Sequence, residues 1–178
     1  MKIRLLPVII SVCVSAVLLF GGYFAYRSVA MESPLHSVVS GIPGAELVSL
    51  KLSGDKAEIA VKLAPEASLR EVYQRIEAEG AVALKGRELV LKAEESPDAA
   101  LDQWWASALF EVAQAMETMH YADIPKALEA RAEASGSGLT VETEMDEKYV
   151  YVTLRNNEAV KRIMLPRTPA KLGVWPNE

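Results

Sequence analysis

The sequence holds one cysteine in 178 residues, and that residue, Cys13, stands inside an uncharged run near the amino terminus. Everything after the run therefore lacks the thiol needed for a disulfide, a thiolate metal site or a cysteine nucleophile. Histidine is almost as scarce, with only His36 and His120. No acidic residue precedes Glu32. Residues 31–178 then carry 24 acids against 16 lysines and arginines, a net charge of −8. Such acidity opposes binding to nucleic-acid phosphates or to an anionic bilayer surface, and it favours solubility or a basic partner.

Motifs that carry chemistry are equally sparse. No Gly-x-Ser-x-Gly elbow occurs, and Ser40-Gly41-Ile42-Pro43-Gly44 lacks the lysine and the preceding strand of a phosphate-binding loop. Glu117-x-x-His120 has the i, i+3 spacing of carboxylate-bridged di-metal bundles. That chemistry needs a second such pair, which the sequence does not contain. Ser135-Gly136-Ser137-Gly138 reads as a link between helix and strand, and the acid pairs Glu94-Glu95 and Asp146-Glu147 read as solvated turns. No cofactor or metal is implied, and the expectation is that the protein is not an enzyme.

What is present is first of all a membrane-length segment. Residues 5–26 form 22 uncharged positions, LLPVIISVCVSAVLLFGGYFAY, which as a helix cover about 33 Å, close to the bilayer's hydrocarbon thickness. Signal-peptide cores are shorter, so a retained anchor is expected; cleavage after Ser28-Val29-Ala30 is the alternative. Lys2, Arg4 and the amino terminus outweigh Arg27 in positive charge. The positive-inside bias thus keeps residues 1–4 cytoplasmic and places the rest outside, with Tyr23, Phe24 and Tyr26 at the outer interface. The absence of cysteine outside the span fits a bacterium with a single membrane.

Residues 27–45 read as a juxtamembrane connection punctuated by Pro34, Gly41, Pro43 and Gly44, with a short helical turn at Leu35–Val39. Val48, Leu50 and Leu52, then Ile59, Val61 and Leu63, alternate with polar residues around Ser53-Gly54-Asp55-Lys56, the pattern of a β-hairpin. Ser68 and Glu71 make a capping box before a helix with apolar positions Leu69, Val72, Tyr73 and Ile76, stopped at Gly80. Val82–Leu84 and Glu88–Lys92 suggest a second hairpin around Lys85-Gly86-Arg87. Ser96-Pro97-Asp98 opens the longest helix, whose apolar stripe includes Leu101, Trp104, Trp105, Ala108, Leu109, Val112, Met116 and Met119. A further helix capped by Asp123 runs to about Ala134. Strands then follow at Leu139–Met145, Tyr149–Leu154 and Val160–Leu165, and the tail 167–178 has one large anchor, Trp175.

The expected fold is thus α+β: an N-terminal transmembrane helix, then an extracytoplasmic domain over 46–166 of order β-β-α-β-β-α-α-β-β-β. Its strands should be mainly antiparallel, in two α+β layers that either stay apart or share one sheet. By elimination the expected function is a protein-interaction or assembly module on the outer face of the plasma membrane. Its partner would be another protein or a second copy, and no nucleic acid. A module for a small molecule or cell-wall polymer is the alternative. Single-span subunits of secretion, pilus or sporulation machines offer a resemblance of architecture only. Phe110 lies nearly opposite the Leu101–Val112 line, so it packs a second internal surface or forms an exposed contact. With Trp104, Tyr149 and Tyr151 it makes up the candidate interaction surface.

Overall fold

A computed structural model describes residues 5–27, 32–94, 97–157 and 159–167, of which 5–9, 24, 25 and 27 are described by backbone only. The positively charged stub, the Ser28-Val29-Ala30 site, Glu95, Ser96 and the Trp175 tail lie outside the described residues. In chain order the elements are α1 (Leu5–Arg27), α2 (Ser33–Ser40), β1 (Ala45–Ser53), β2 (Lys56–Leu63), α3 (Leu69–Glu79), α4 (Ala81–Leu84), β3 (Glu88–Ala93), α5 (Ala99–Glu117), α6 (Asp123–Ser135), β4 (Thr140–Met145), β5 (Tyr149–Asn156) and β6 (Ala159–Pro166). The fold is α+β with two separate three-stranded sheets, β1-β2-β3 and β4-β5-β6. Helix α1 is 23 residues long. Among the described residues, no helix is long and apolar enough to cross a membrane.

Contacts divide the chain into two units, one of Met1–Val61 with Val72–Lys92 and one of Lys62–Glu71 with Ala93–Glu178. In the first, β2 alternates as its sequence requires, burying Ala57, Ile59 and Val61. Strand β1 does not hold its phase. Val48 and Ser49 are both exposed, so Leu47 is covered before them and Leu50 and Leu52 after them. The two residues between β1 and β2 permit only an antiparallel pair. Lys56–Glu88 at 3.8 Å and Lys92–Glu58 at 3.3 Å advance together along β2 and β3, which makes that pair parallel through the helical crossover.

The expected strand at Val82–Leu84 is instead the one-turn helix α4. Three residues carry no reliable period, and here adjacent Ala83 and Leu84 are buried while Val82 is 88% exposed. Gly80 ends α3 for a reason other than a left-handed stop: its φ is −87°. A Cβ there would lie 2.4 Å from the Ile76 carbonyl oxygen and 2.9 Å from Leu35 Cδ2, so the close approach of α2 demands glycine.

The second unit is organised around β5, whose residues Val150 to Leu154 are all buried. It is the central strand, paired antiparallel with β4 and with β6. Val150, Val152 and Leu154 join Leu101, Ala108, Val112, Ile124 and Leu128 in one apolar cluster beneath α5 and α6. The opposite face of the sheet is polar. Register sets Glu142, Thr153 and Arg162 side by side, and Glu144 beside Tyr151.

That polar face holds the segment leading into α3. Arg162, only 7% exposed, donates from Nη2 to the carbonyls of Ala64 at 2.6 Å and Pro65 at 3.3 Å. Arg155 donates to Pro65 O at 3.1 Å and pairs with Glu142 at 2.7 Å. Ser68 accepts from the Glu71 amide as an N-cap and also donates to Glu144 at 2.7 Å, where Arg70 joins at 3.4 Å. Burial, followed by the charge of Arg155, pushes the Arg162 guanidinium below its usual range, opposed by Glu142 and Glu66.

Replacing Arg162 by leucine leaves the Ala64 carbonyl without its charged donor, while Pro65 O keeps Arg155. Hydrogen bonds to charged groups contribute about 1.5–3 kcal/mol each, so Arg162→Leu is expected to cost about 2–3 kcal/mol in urea unfolding of the detergent-solubilised protein. A loss below about 0.5 kcal/mol, the range of ordinary surface changes, would show that the clamp contributes nothing.

Candidate interaction face of helix α5

Helix α5 begins at Ala99, two residues later than a Ser96 cap with Pro97 at the first helical position would place it, because Asp98 is the cap. Asp98 is extended (φ −136°) and its carboxylate accepts from the amides of Ala100 and Leu101. Leu101, Ala108, Val112 and Ala115 are buried against the sheet, and Trp104, Trp105 and Met116 pack partly against the same cluster. Ala115 therefore takes the place expected for Met119, which is 69% exposed beyond the helix end. A helix can present only part of its circumference to one sheet. Leu109, Phe110 and Ala113 are left outside, Leu109 at 46% and Phe110 at 85% exposure.

Beside Phe110 runs a groove of about 300 Å³ lined by Leu109, Val112, Ala113, Met116 and Glu117 on the helix and by Leu165, Pro166 and Arg167 at the end of β6. The Arg167 wall is pinned. Its amide donates to Lys148 O at 2.8 Å, Nη1 donates to Asp146 O at 2.7 Å, and the guanidinium stacks over the Tyr121 ring at 4.7 Å. Asp146 in turn shapes the β4–β5 turn, accepting from the amides of Lys148 and Tyr149 and, at 2.7 Å, from the Tyr151 hydroxyl. The groove is thus mostly apolar, with one anion and one cation on its lining.

The four residues expected to form an interaction surface do not come together on one. Phe110 alone is exposed. Tyr151 is 1% exposed, a correction to its expected place, because β5 is covered on both faces and the residue turns its hydroxyl to Asp146. Tyr149 is half-buried, its ring 6.1 Å from that of Tyr151. Trp104 packs partly into the core, its indole nitrogen buried without a hydrogen-bond partner among the described residues. The concave aromatic site required by a small-molecule or polymer module is not assembled from these residues. What sequence reasoning missed is the β6 side of the groove. Leu165, Pro166 and Arg167 read simply as a strand end.

The Glu117-x-x-His120 spacing loses its meaning in three dimensions. Helix α5 stops at Glu117, Thr118 caps it, and Met119 adopts a left-handed φ of +58°. The His120 amide reaches back to Ala115 O at 2.9 Å, closing a Schellman-type end. Glu117 lines the apolar groove, whereas His120 is exposed on another surface with Glu111 and Asp123. Those two acids pair with Arg131 at 2.8 Å and Lys126 at 3.3 Å. Among the described residues, no group of three His, Cys, Asp or Glu could hold a metal ion, and no hydrogen bond joins the His120 ring to a carboxylate. His36 bonds weakly to Ser40, one helical turn on in α2, at 3.3 Å. Asp123 starts α6 without capping it, since Ala122 occupies the cap position.

Comparison with protein-family models, with characterised proteins and with solved structures finds no match to this chain.

The left-handed Met119 is a test of this helix end. Glycine adopts that conformation at no steric cost, and Met119 is too exposed to lose much packing. Met119→Gly is expected to stabilise the protein by about 0.5–1 kcal/mol, seen as a rise in thermal midpoint. A fall in the midpoint would contradict the geometry of this cap.

Proposed function

We propose that the chain is a single-span membrane protein whose extracytoplasmic α+β portion serves as a protein-interaction or assembly module, with the outer face of α5 as its contact surface. The observation that carries this reading is Phe110, a large aromatic left 85% exposed between Leu109 and Ala113 on the outer side of a helix whose inner side packs into the core. Aromatic residues in such positions are the common anchors of protein interfaces. Single exposed apolar residues are ordinary, but here Leu109, Phe110, Ala113 and the groove beside them are contiguous.

The membrane part of the reading is supported by the uncharged run 5–26, by its continuous helical backbone, and by the excess of positive charge before it. Tethering in one bilayer plane confines copies or partners near each other, which favours association through a modest surface. The acidity of residues 31–178 suits a partner with a basic rim around an apolar centre.

Chemical crosslinking of the full-length protein in its native membrane, followed by identification of the captured chains, tests this directly. A specific captured chain is expected, and Phe110→Asp should lower its yield at least about tenfold, as loss of an anchor of about 2 kcal/mol or more requires. Recovery of free monomer alone, or a yield indifferent to Phe110→Asp, would overturn the proposal.

A further inference from the structure

Strand β1 is an outer strand of its sheet, with β2 on one side and, among the described residues, no strand on the other. Such an edge can accept a further strand through its main chain. Burial along β1 reads the same in both directions. Val48 and Ser49 at its centre are exposed, Leu47 and Leu50 outside them are half-buried, and Glu46 and Lys51 are exposed again. Ala45 is then half-buried and Leu52 buried. A strand of unbroken alternation has no such symmetry about a point between two residues, because residues equidistant from that point face opposite ways. The loss of phase at Val48 and Ser49 creates it.

In an antiparallel pair, opposed residues share a face of the sheet. A second β1, related by a two-fold axis through that midpoint, therefore meets each position with one of its own kind: Val48 with Ser49, Leu47 with Leu50, Glu46 with Lys51. The last match sets opposite charges together twice, once on each side of the axis. A shift of one residue either way sets exposed positions against covered ones and separates the charges. The covered face also has room. Helix α2 packs against β1, and a groove of about 440 Å³ between them is lined by Glu32, Ser33, His36 and Ser37 on the helical side and by Leu47 and Leu50 on the strand. Those leucines lie nearest the axis on that face, so a second copy brings its own Leu47 and Leu50 to the same place.

We propose that β1 is the edge through which two copies of this chain join. The strands run antiparallel about a two-fold axis between Val48 and Ser49, the leucines of both copies meet at the α2 groove, and Glu46 of each copy pairs with Lys51 of the other. The inference goes beyond the interaction reading and stands without it, since it involves the first unit and no residue of α5.

The test uses the full-length protein in detergent with Cys13→Ser and Phe110→Asp, which remove the native thiol and association through α5. Along one strand, positions 46 and 51 are about 17 Å apart, too far for a disulfide within a chain. Two copies of either position are as far apart across the axis, whereas 46 of one copy lies opposite 51 of the other. Glu46→Cys combined with Lys51→Cys is therefore expected to give a disulfide-linked dimer under mild oxidation at least about tenfold faster than either single cysteine. In sedimentation equilibrium, Glu46→Lys should weaken the dimer about tenfold by opposing lysines twice, and adding Lys51→Glu should restore it. Single cysteines that link as fast as the pair, a charge reversal without effect or without rescue, or a monomer at every concentration would each overturn the proposal. With Phe110 already replaced, none of these outcomes bears on capture through it.

Discussion

The burial of β5 on both faces is the constraint from which the second unit follows. A central strand of a three-stranded sheet shows two sets of side chains to two surroundings, and here both sets must be covered. Val150, Val152 and Leu154 are covered by α5 and α6 in the ordinary apolar way. Tyr151 and Thr153 are covered on a face whose neighbours are Glu142, Glu144 and Arg162. Burial among charges succeeds only where each finds a partner. The sheet meets most of that demand by donating to main-chain carbonyls of Ala64 and Pro65 and by accepting from Ser68 and Arg70, while Arg162 Nε and Arg70 Nε stay without a hydrogen-bond partner among the described residues. The same side chains thus close the polar face and fix the start of α3 through its N-cap.

The helical side has the opposite difficulty, an excess of apolar surface. Helix α5 carries large apolar residues on several sides, and among the described residues its core side packs with α6 and the β4-β5-β6 sheet. Leu101, Ala108, Val112 and Ala115 use up that cover, and Leu109, Phe110 and Ala113 are left over. The proposed interaction face is one answer to this surplus.

Strong local patterns were legible in the sequence. The alternation of Ile59, Val61 and Leu63 set the buried face of β2, Ser68 announced the N-cap of α3, and the spacing Leu101–Ala108–Val112 marked the core side of α5. Weak or competing patterns were not. Val82–Leu84 was too short to separate strand from helix, and Met119 continued the helical spacing past the point where the backbone turns left-handed. The contact of Arg162 with Ala64 spans 98 positions, and no local rule connects an arginine on one strand to a carbonyl so far away. Phe110 was visible as an anomaly on the polar side of its helix. The groove beside it was not, because Leu165, Pro166 and Arg167 on its other side come from the end of a distant strand.

The most direct measurement is the reactivity of a cysteine at position 110 toward a membrane-impermeant thiol reagent, in a Cys13→Ser background, compared between intact cells and purified monomer. The account predicts rapid modification of the monomer and at least tenfold slower modification in cells, with the rate restored when the cell-surface assembly is dispersed by detergent. Equal rates in cells and in the monomer would contradict a covered contact face. Protection that persists until the cells are broken open and then vanishes without detergent would contradict an extracytoplasmic domain.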